Sequence, residues 1–324
     1  MDINDKIYVA GHNGLVGSAI VRQLKQKGFR YIITENFADL DLREQTAVRK
    51  FFQKEKPQYV FLAAAKVGGI MANKTLGAEF IYDNLAVQNN VIHEAYKNGV
   101  DKLLFLGSSC IYPKHAPQPI KEDYFMTGVL EPTNAPYAMA KIAGIEMCKA
   151  YNVQYGCRFI SVMPTNLYGP GDSYDLENAH VLPALIRKFH EAKINGDPSV
   201  TVWGTGKPRR EFLHVDDAAA ACVFLMNEYE DPSIINIGCG EDYSIKEMAE
   251  AIKKITGYTG KLVFDDSKPD GTMQKLLDVT KLNNQGWNYS INLLEGLAAT
   301  YKDFSERYDY YITKKRINGL PGNV

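Results

Sequence analysis

The sequence predicts an α/β fold: a doubly wound parallel sheet of the Rossmann type with a smaller C-terminal α/β lobe. Three observations predict it. Short apolar runs alternate with helix-length segments through the first half of the chain. The runs are continuous rather than alternating, as strands covered by helices on both faces should be. A glycine-rich turn separates the first run from the first helix, where such folds bind a ligand.

In order, residues 7–10 read as a buried strand, and 15–27 as a helix stopped by Gly28. Residues 31–34 are a second strand, 48–54 a short helix and 59–63 a third strand. A long helix is expected over 78–98, ended by Gly99. Strand 102–106, helix 137–155 and strand 159–162 follow. Past about residue 165 the rhythm breaks into loops such as Leu167-Tyr-Gly-Pro-Gly-Asp172, with helices near 182–192 and 245–256. Segments 214–227 and 234–237 are apolar enough to return to the main sheet. The division is therefore interleaved: residues 1–165 with about 210–238 in the first lobe, about 166–209 and 239–324 in the second. The tail, including Lys314, Lys315 and Arg316, is expected to fray.

The 324 residues are 45% hydrophobic and carry a net charge of −1. That balance argues against nucleic acid or an anionic membrane as partner. No apolar run approaches the ~18 residues that would span a bilayer, and the N-terminus lacks a signal core, so a cytoplasmic protein is expected. The five cysteines are scattered and form no CxxC; reduced thiols are expected, and no metal site.

The turn Gly11-His12-Asn13-Gly14-Leu15-Val16-Gly17 suits a dinucleotide. Glycines let the backbone approach a pyrophosphate, and the helix start offers free N–H groups. Glu35, near the end of the second strand, points to the ribose of NAD, and Asp41-Leu42 could approach the adenine. His12, Arg30 and Arg43 could serve a phosphate, so these residues leave NAD and NADP open.

Tyr137 and Lys141 stand four apart, on one helix face. A phenol beside an ammonium is a good proton donor to a ketone receiving hydride, because the cation favours the phenolate. Ser108 or Ser109, at the preceding strand end, could hold the carbonyl oxygen. Cys110 follows at the mouth of the sheet. A thiol there is either a small buried apolar group or a base for a proton on the carbon next to a ketone. His180, before a helix of the second lobe, could face it and supply a proton. His214 is read as orienting backbone.

The chain resembles the extended short-chain dehydrogenase/reductase superfamily and, more narrowly, its GDP-L-fucose synthases, which are GDP-4-keto-6-deoxy-mannose 3,5-epimerase-4-reductases. The resemblance rests on residues 63–70 (AAAKVGGI), 107–113 (GSSCIYP), 131–134 (EPTN), 137–144 (YAMAKIAG), 163–170 (MPTNLYGP) and 210–217 (REFLHVDD). It implies Ser108, Tyr137 and Lys141 as reductase triad, with Cys110 and His180 as epimerase base and acid. It implies cofactor contacts from the glycine turn, Glu35, Asn36, Asp41, Leu42, Ala63, Ala64, Ala65, Leu106, Gly107, Lys141, Pro164, Asn166, Leu167 and His180. For the GDP-sugar it implies Ser109, Asn166, Arg187 or its neighbour Lys188, Trp203, Arg210 and Asp278. The expected activity is C3/C5 epimerisation and then C4 reduction of GDP-4-keto-6-deoxy-D-mannose by NADPH; the alternative substrate is a related GDP-4-keto-heptose. The resemblance implies a homodimer through helices 78–98 and 137–155. The chain departs from it at Asn13 and Asn36, where arginines are expected. That weakens the case for a 2′-phosphate and leaves NADH use open.

Overall fold

The computed structural model describes residues 1–176, 179–268 and 270–313. The tail expected to fray, from residue 314, lies outside them. The order is β1 (Lys6–Ala10), α1 (Leu15–Gln26), β2 (Tyr31–Ile33), α2 (Gln45–Glu55), β3 (Tyr59–Leu62), α3 (Ile70–Thr75), α4 (Gly77–Lys97), β4 (Lys102–Leu106), α5 (Ala135–Tyr155) and β5 (Phe159–Pro164). Then come β6 (Asn166–Tyr168), α6 (Val181–Asn195), β7 (Ser199–Trp203), β8 (Arg209–His214), α7 (Val215–Glu228), β9 (Ile235–Ile237), β10 (Asp242–Ser244), α8 (Ile245–Thr256), β11 (Lys261–Asp265), β12 (Gln274–Lys275), α9 (Thr280–Asn284), α10 (Leu293–Glu306) and α11 (Tyr308–Thr313).

Six parallel strands form the main sheet, in the order β2-β1-β3-β4-β5-β9. Its two faces bury separate cores. Along β1, Ile7 and Val9 enter one core while Tyr8 and Ala10 enter the other. A strand buried on both sides has no polar face, which is why β1, β3 and β4 read as apolar runs. Helices α1 and α7 pack together over one face, and α4 and α5 over the other. The strand order reverses at β1, between β2 and β3, so the turn after β1 opens at the switch point of the sheet.

The remaining strands build the second lobe. β8 pairs with β6, β10 and β12, and β7 pairs with β11. β7 alternates exposed and buried residues, as a one-sided strand should. Its core is a third cluster that includes Leu185, Phe189, Val200, Met248, Ile252 and Phe304. α8 is framed locally: Ser244 and Glu247 close a capping box, and Gly257 ends the helix at φ 71°.

The expected return to the main sheet occurs in two forms. Segment 214–227 returns as helix α7 against α1, and only 235–237 adds a strand. The strand at 209–214 belongs to the second sheet, so the crossing falls at His214 rather than near residue 210. Helix α3 was not expected. It starts immediately after Gly68-Gly69, which reads as a turn, and is only six residues long.

Two buried polar hubs join the lobes. Glu211, fully buried on β8, accepts from the backbone N–H groups of Cys239 (2.7 Å), Gly240 (2.8 Å) and Leu277 (3.0 Å). Asn236 on β9 accepts from the Tyr112 hydroxyl (2.6 Å) and donates to the carbonyls of Ile120 and Asp278, each at 3.0 Å. Buried polar groups hold position only when paired in this way.

Candidate active site

The glycine turn is a cradle that a side chain would fill. Gly11 has φ +85°, and a Cβ there would stand 2.6 Å from the Ala64 nitrogen. At Gly17 a Cβ would run into the Gly11 carbonyl. Gly14 caps α1 with no side-chain bond, and the first turn carries no acid. The helix therefore presents N–H groups and its positive dipole end with nothing to neutralise them, which fits a pyrophosphate. Ala63 is bonded to β1 through its N–H to the Ala10 carbonyl (3.0 Å), and Ala64 and Ala65 are buried beside the turn. Gly11, His12, Asn13, Glu35, Phe37, Leu40 and Leu42 line a cleft at the end of the sheet. Asn13 donates to Asn36 across 3.0 Å. Asp41 is taken up by Arg43, whose guanidinium also reaches Asp83 at 3.3 Å.

The second cluster stands where β4 ends. Leu106 and Gly107 lead into a single 3-10 turn, Ser109–Ile111, capped by Ser108, whose hydroxyl accepts from the Cys110 N–H at 3.2 Å. Ser109 is buried inside the turn, and Cys110 remains half-buried. The Tyr137 hydroxyl lies beside Ser108, and its ring edges against Phe80. Lys141, buried one helical turn on, donates to the Leu106 carbonyl at 2.7 Å and faces the Tyr137 ring at 5.8 Å. Burial brings the Lys141 ammonium down to about 7. Burial also pushes the Tyr137 phenol up, and neighbouring Cys110 adds to that, while the Ser108 bond offsets only part. The expected drift of Tyr137 toward phenolate is thus reversed, because desolvation outweighs the distant cation.

Lys275 is the residue that sequence reasoning missed. It belongs to β12, and its ammonium stands 3.6 Å from the Cys110 sulfur. Its place is fixed by pairing with Arg210 on β8 and by the next residue, Leu276, whose N–H donates to Gln118 at 2.8 Å. The ammonium donates toward the sulfur across that gap. Nothing local signals it, since the two residues lie 165 apart in the chain.

The second lobe gathers a different set. Trp203 is 58% exposed at the end of β7, with Lys188 (5.5 Å) and Lys268 (5.7 Å) over its ring. Lys188 also donates to the Thr201 carbonyl at 3.2 Å. Arg187 instead pairs with Glu191 (2.7 Å) and donates to the Tyr174 carbonyl (3.0 Å). The ~100° step per residue on a helix sends adjacent side chains to different neighbours, so Lys188 and not Arg187 is the one at Trp203. Arg210 is half-buried beside Gly271. Asn166 on β6 donates to the Glu211 carbonyl at 2.8 Å, with Pro164 and Leu167 on either side of that sheet crossing. Asp278 accepts from the Thr280 N–H at 2.9 Å. His180 is the exposed N-cap residue of α6. His214 caps α7, accepting from the Asp216 N–H at 3.3 Å.

A nucleotide cradle at a sheet switch point and a Ser/Tyr/Lys group at the end of β4 define an epimerase/dehydratase-type oxidoreductase. The chain belongs to the NAD dependent epimerase/dehydratase family, whose sequence profile spans residues 7–238. It is similar to GDP-L-fucose synthase 1 of Arabidopsis thaliana, 59% identical over 300 residues that cover 93% of each chain. Among solved structures it is similar to a GDP-L-fucose synthetase from Naegleria fowleri bound to NADP (32% identity, 95% of this chain and 96% of that one, TM-score 0.88). It is also similar to a GDP-6-OMe-4-keto-L-xylo-heptose reductase from C. jejuni (42% identity, 95% and 99%, TM-score 0.91).

Proposed function

We propose that this protein converts GDP-4-keto-6-deoxy-D-mannose to GDP-L-fucose, by epimerisation at C3 and C5 followed by reduction at C4 with NADP(H). The observation that carries this reading is the turn at Ser108–Cys110, which sets a hydroxyl and a thiol beside Tyr137, with Lys141 and Lys275 behind them. The C4 ketone acidifies the protons on C3 and C5. Ser108 and Tyr137 hydrogen-bond the ketone oxygen and stabilise the enolate as it forms. Cys110 removes each proton, and Lys275 stabilises charge at the sulfur. His180 returns a proton to the opposite face. The dinucleotide, when bound, supplies hydride to C4. Tyr137 gives the new alkoxide its proton, with Lys141 behind it. The cradle at Gly11, Gly14 and Gly17 holds the pyrophosphate of the dinucleotide, while Lys188, Trp203 and Arg210 receive the GDP. Arg210 and Lys188 bring cations to a diphosphate, and Trp203 offers a face to a purine.

The same reading includes a homodimer through α4 and α5, where Tyr82 and Met139 stand exposed, and a cytoplasmic setting in which the five free cysteines stay reduced. Among the described residues no helix is long and apolar enough to cross a membrane. The decisive experiment incubates the purified protein with GDP-4-keto-6-deoxy-D-mannose and NADPH, follows absorbance and identifies the sugar by NMR. GDP-L-fucose is expected. A reduced but unepimerised sugar would remove Cys110 and His180 from the mechanism. Turnover only of a GDP-4-keto-heptose would replace the substrate.

A further inference from the structure

We infer that the adenosine end of the dinucleotide site is built for a free 2′-hydroxyl, so that NAD(H) binds at least as tightly as NADP(H). The inference rests on the cofactor site proposed above and concerns its selectivity.

Glu35 lies two residues past β2, about twenty after the glycine turn, where an acidic side chain reaches the ribose. It lines the cleft with Gly11, His12 and Asn13. Among the described residues its carboxylate accepts no hydrogen bond and forms no ion pair, so both oxygens are available to a ribose diol.

A 2′-phosphate would need cations here, and the candidates are engaged elsewhere or disfavoured as cations; Arg30 turns to Asn4 at 3.5 Å. Arg43 stands 5.3 Å over the Phe37 ring, but Asp41 holds its guanidinium and Asp83 takes another N–H. Burial pulls the His12 imidazole below the ordinary histidine value, with Glu35 and Asn36 offsetting only part, so burial works against a positive charge there. Asn13 and Asn36 close on one another, and the Asn36 amide turns to Asp39 at 3.5 Å. Lys54 is paired with Glu55 on α2. Glu35 is the acidic residue lining this cleft, and a carboxylate repels a phosphate of like charge. The apolar lining from Phe37, Leu40 and Leu42 suits an adenine face and gives a phosphate nothing.

Calorimetric titration of the full chain with NAD+ and with NADP+ tests this without turnover. The expected result is a Kd for NAD+ equal to or below that for NADP+. Glu35→Gln should weaken NAD+ several-fold and leave NADP+ unchanged or tighter, and Glu35→Arg should favour NADP+ by tenfold or more. Tighter binding of NADP+ by the unaltered protein, or no change of either ligand in Glu35→Gln, would overturn the inference. Binding of neither dinucleotide would remove the cofactor site itself, a separate failure from a site that prefers NADP+.

Discussion

Cys110 sits on a 3-10 turn held at its start by the Ser108 hydroxyl and faced by Lys275 from the other lobe. Replacing the thiol removes the proposed base and spares the Ser108–Tyr137 pair. Cys110→Ser should therefore cut epimerised product by about 100-fold or more, while direct C4 reduction stays within about tenfold. NMR of the sugar product separates the two. Lys275→Met should follow the same pattern more weakly, because it removes charge stabilisation and leaves the thiol. Lys141 yields a prediction about stability. Its folded value of about 7 lies below the ordinary lysine value of 10.5, so between those limits the unfolded chain binds the proton that the folded chain releases. Stability must then rise with pH from 7 toward 10, at up to about 1.4 kcal/mol per unit for this group. Denaturant titrations of the apoprotein and of Lys141→Met at several pH values check this. The variant should lose that slope, and it should also lose C4 reduction.

At the scale of elements, β8 is the seam. Glu211 takes three backbone N–H groups from the 239–240 loop and from the strand end at Leu277. Leu277 lies two residues past Lys275, so this carboxylate also fixes where β12 lies. Glu211→Ala would leave three buried donors unpaired and should cost about 3–5 kcal/mol. Glu211→Gln keeps one acceptor and should cost about 1–3 kcal/mol. A shift of the denaturation midpoint reads either. The sheet that seats the site was legible because β1, β3 and β4 are apolar on both faces and each is followed by a helix with a glycine or other stop. Tyr137 and Lys141 were legible because four residues on a helix is a local distance. Lys275 and Glu211 were not, because Glu211 meets Leu277 across 66 residues of chain, while Lys275 pairs with Arg210 and meets Cys110 across 165 residues. The choice between Arg187 and Lys188 fails for a related reason. Adjacent helical positions are told apart only by what packs against them, here Glu191 and Tyr174 on one side and Trp203 on the other.

Across the whole molecule, the proposed function divides the work between the two lobes. It assigns the dinucleotide to the main sheet, which also carries Ser108, Tyr137 and Lys141, and the substrate's nucleotide to the aromatic and cationic surface of the second lobe at Trp203 and Lys188. Lys275 reaches from one lobe to the other. If the division is right, GDP binding can be perturbed without disturbing dinucleotide binding. Trp203 gives the means to see it. It is 58% exposed, whereas Trp287, the second of two tryptophans in the chain, is 8% exposed. A purine stacking on Trp203 should quench the exposed component of the emission and leave the Trp287 component as background. Base–aromatic stacking is worth about 1–3 kcal/mol, so Trp203→Ala should raise the Kd for GDP by about 5–150-fold. Dinucleotide affinity should stay unchanged in the same variant, because the glycine cradle and Glu35 belong to the other lobe. If Trp203→Ala weakened both ligands equally, the lobes would be acting as one cooperative unit. If it weakened neither, the purine would have to lie away from β7, and Lys188 would lose its place beside the diphosphate as well.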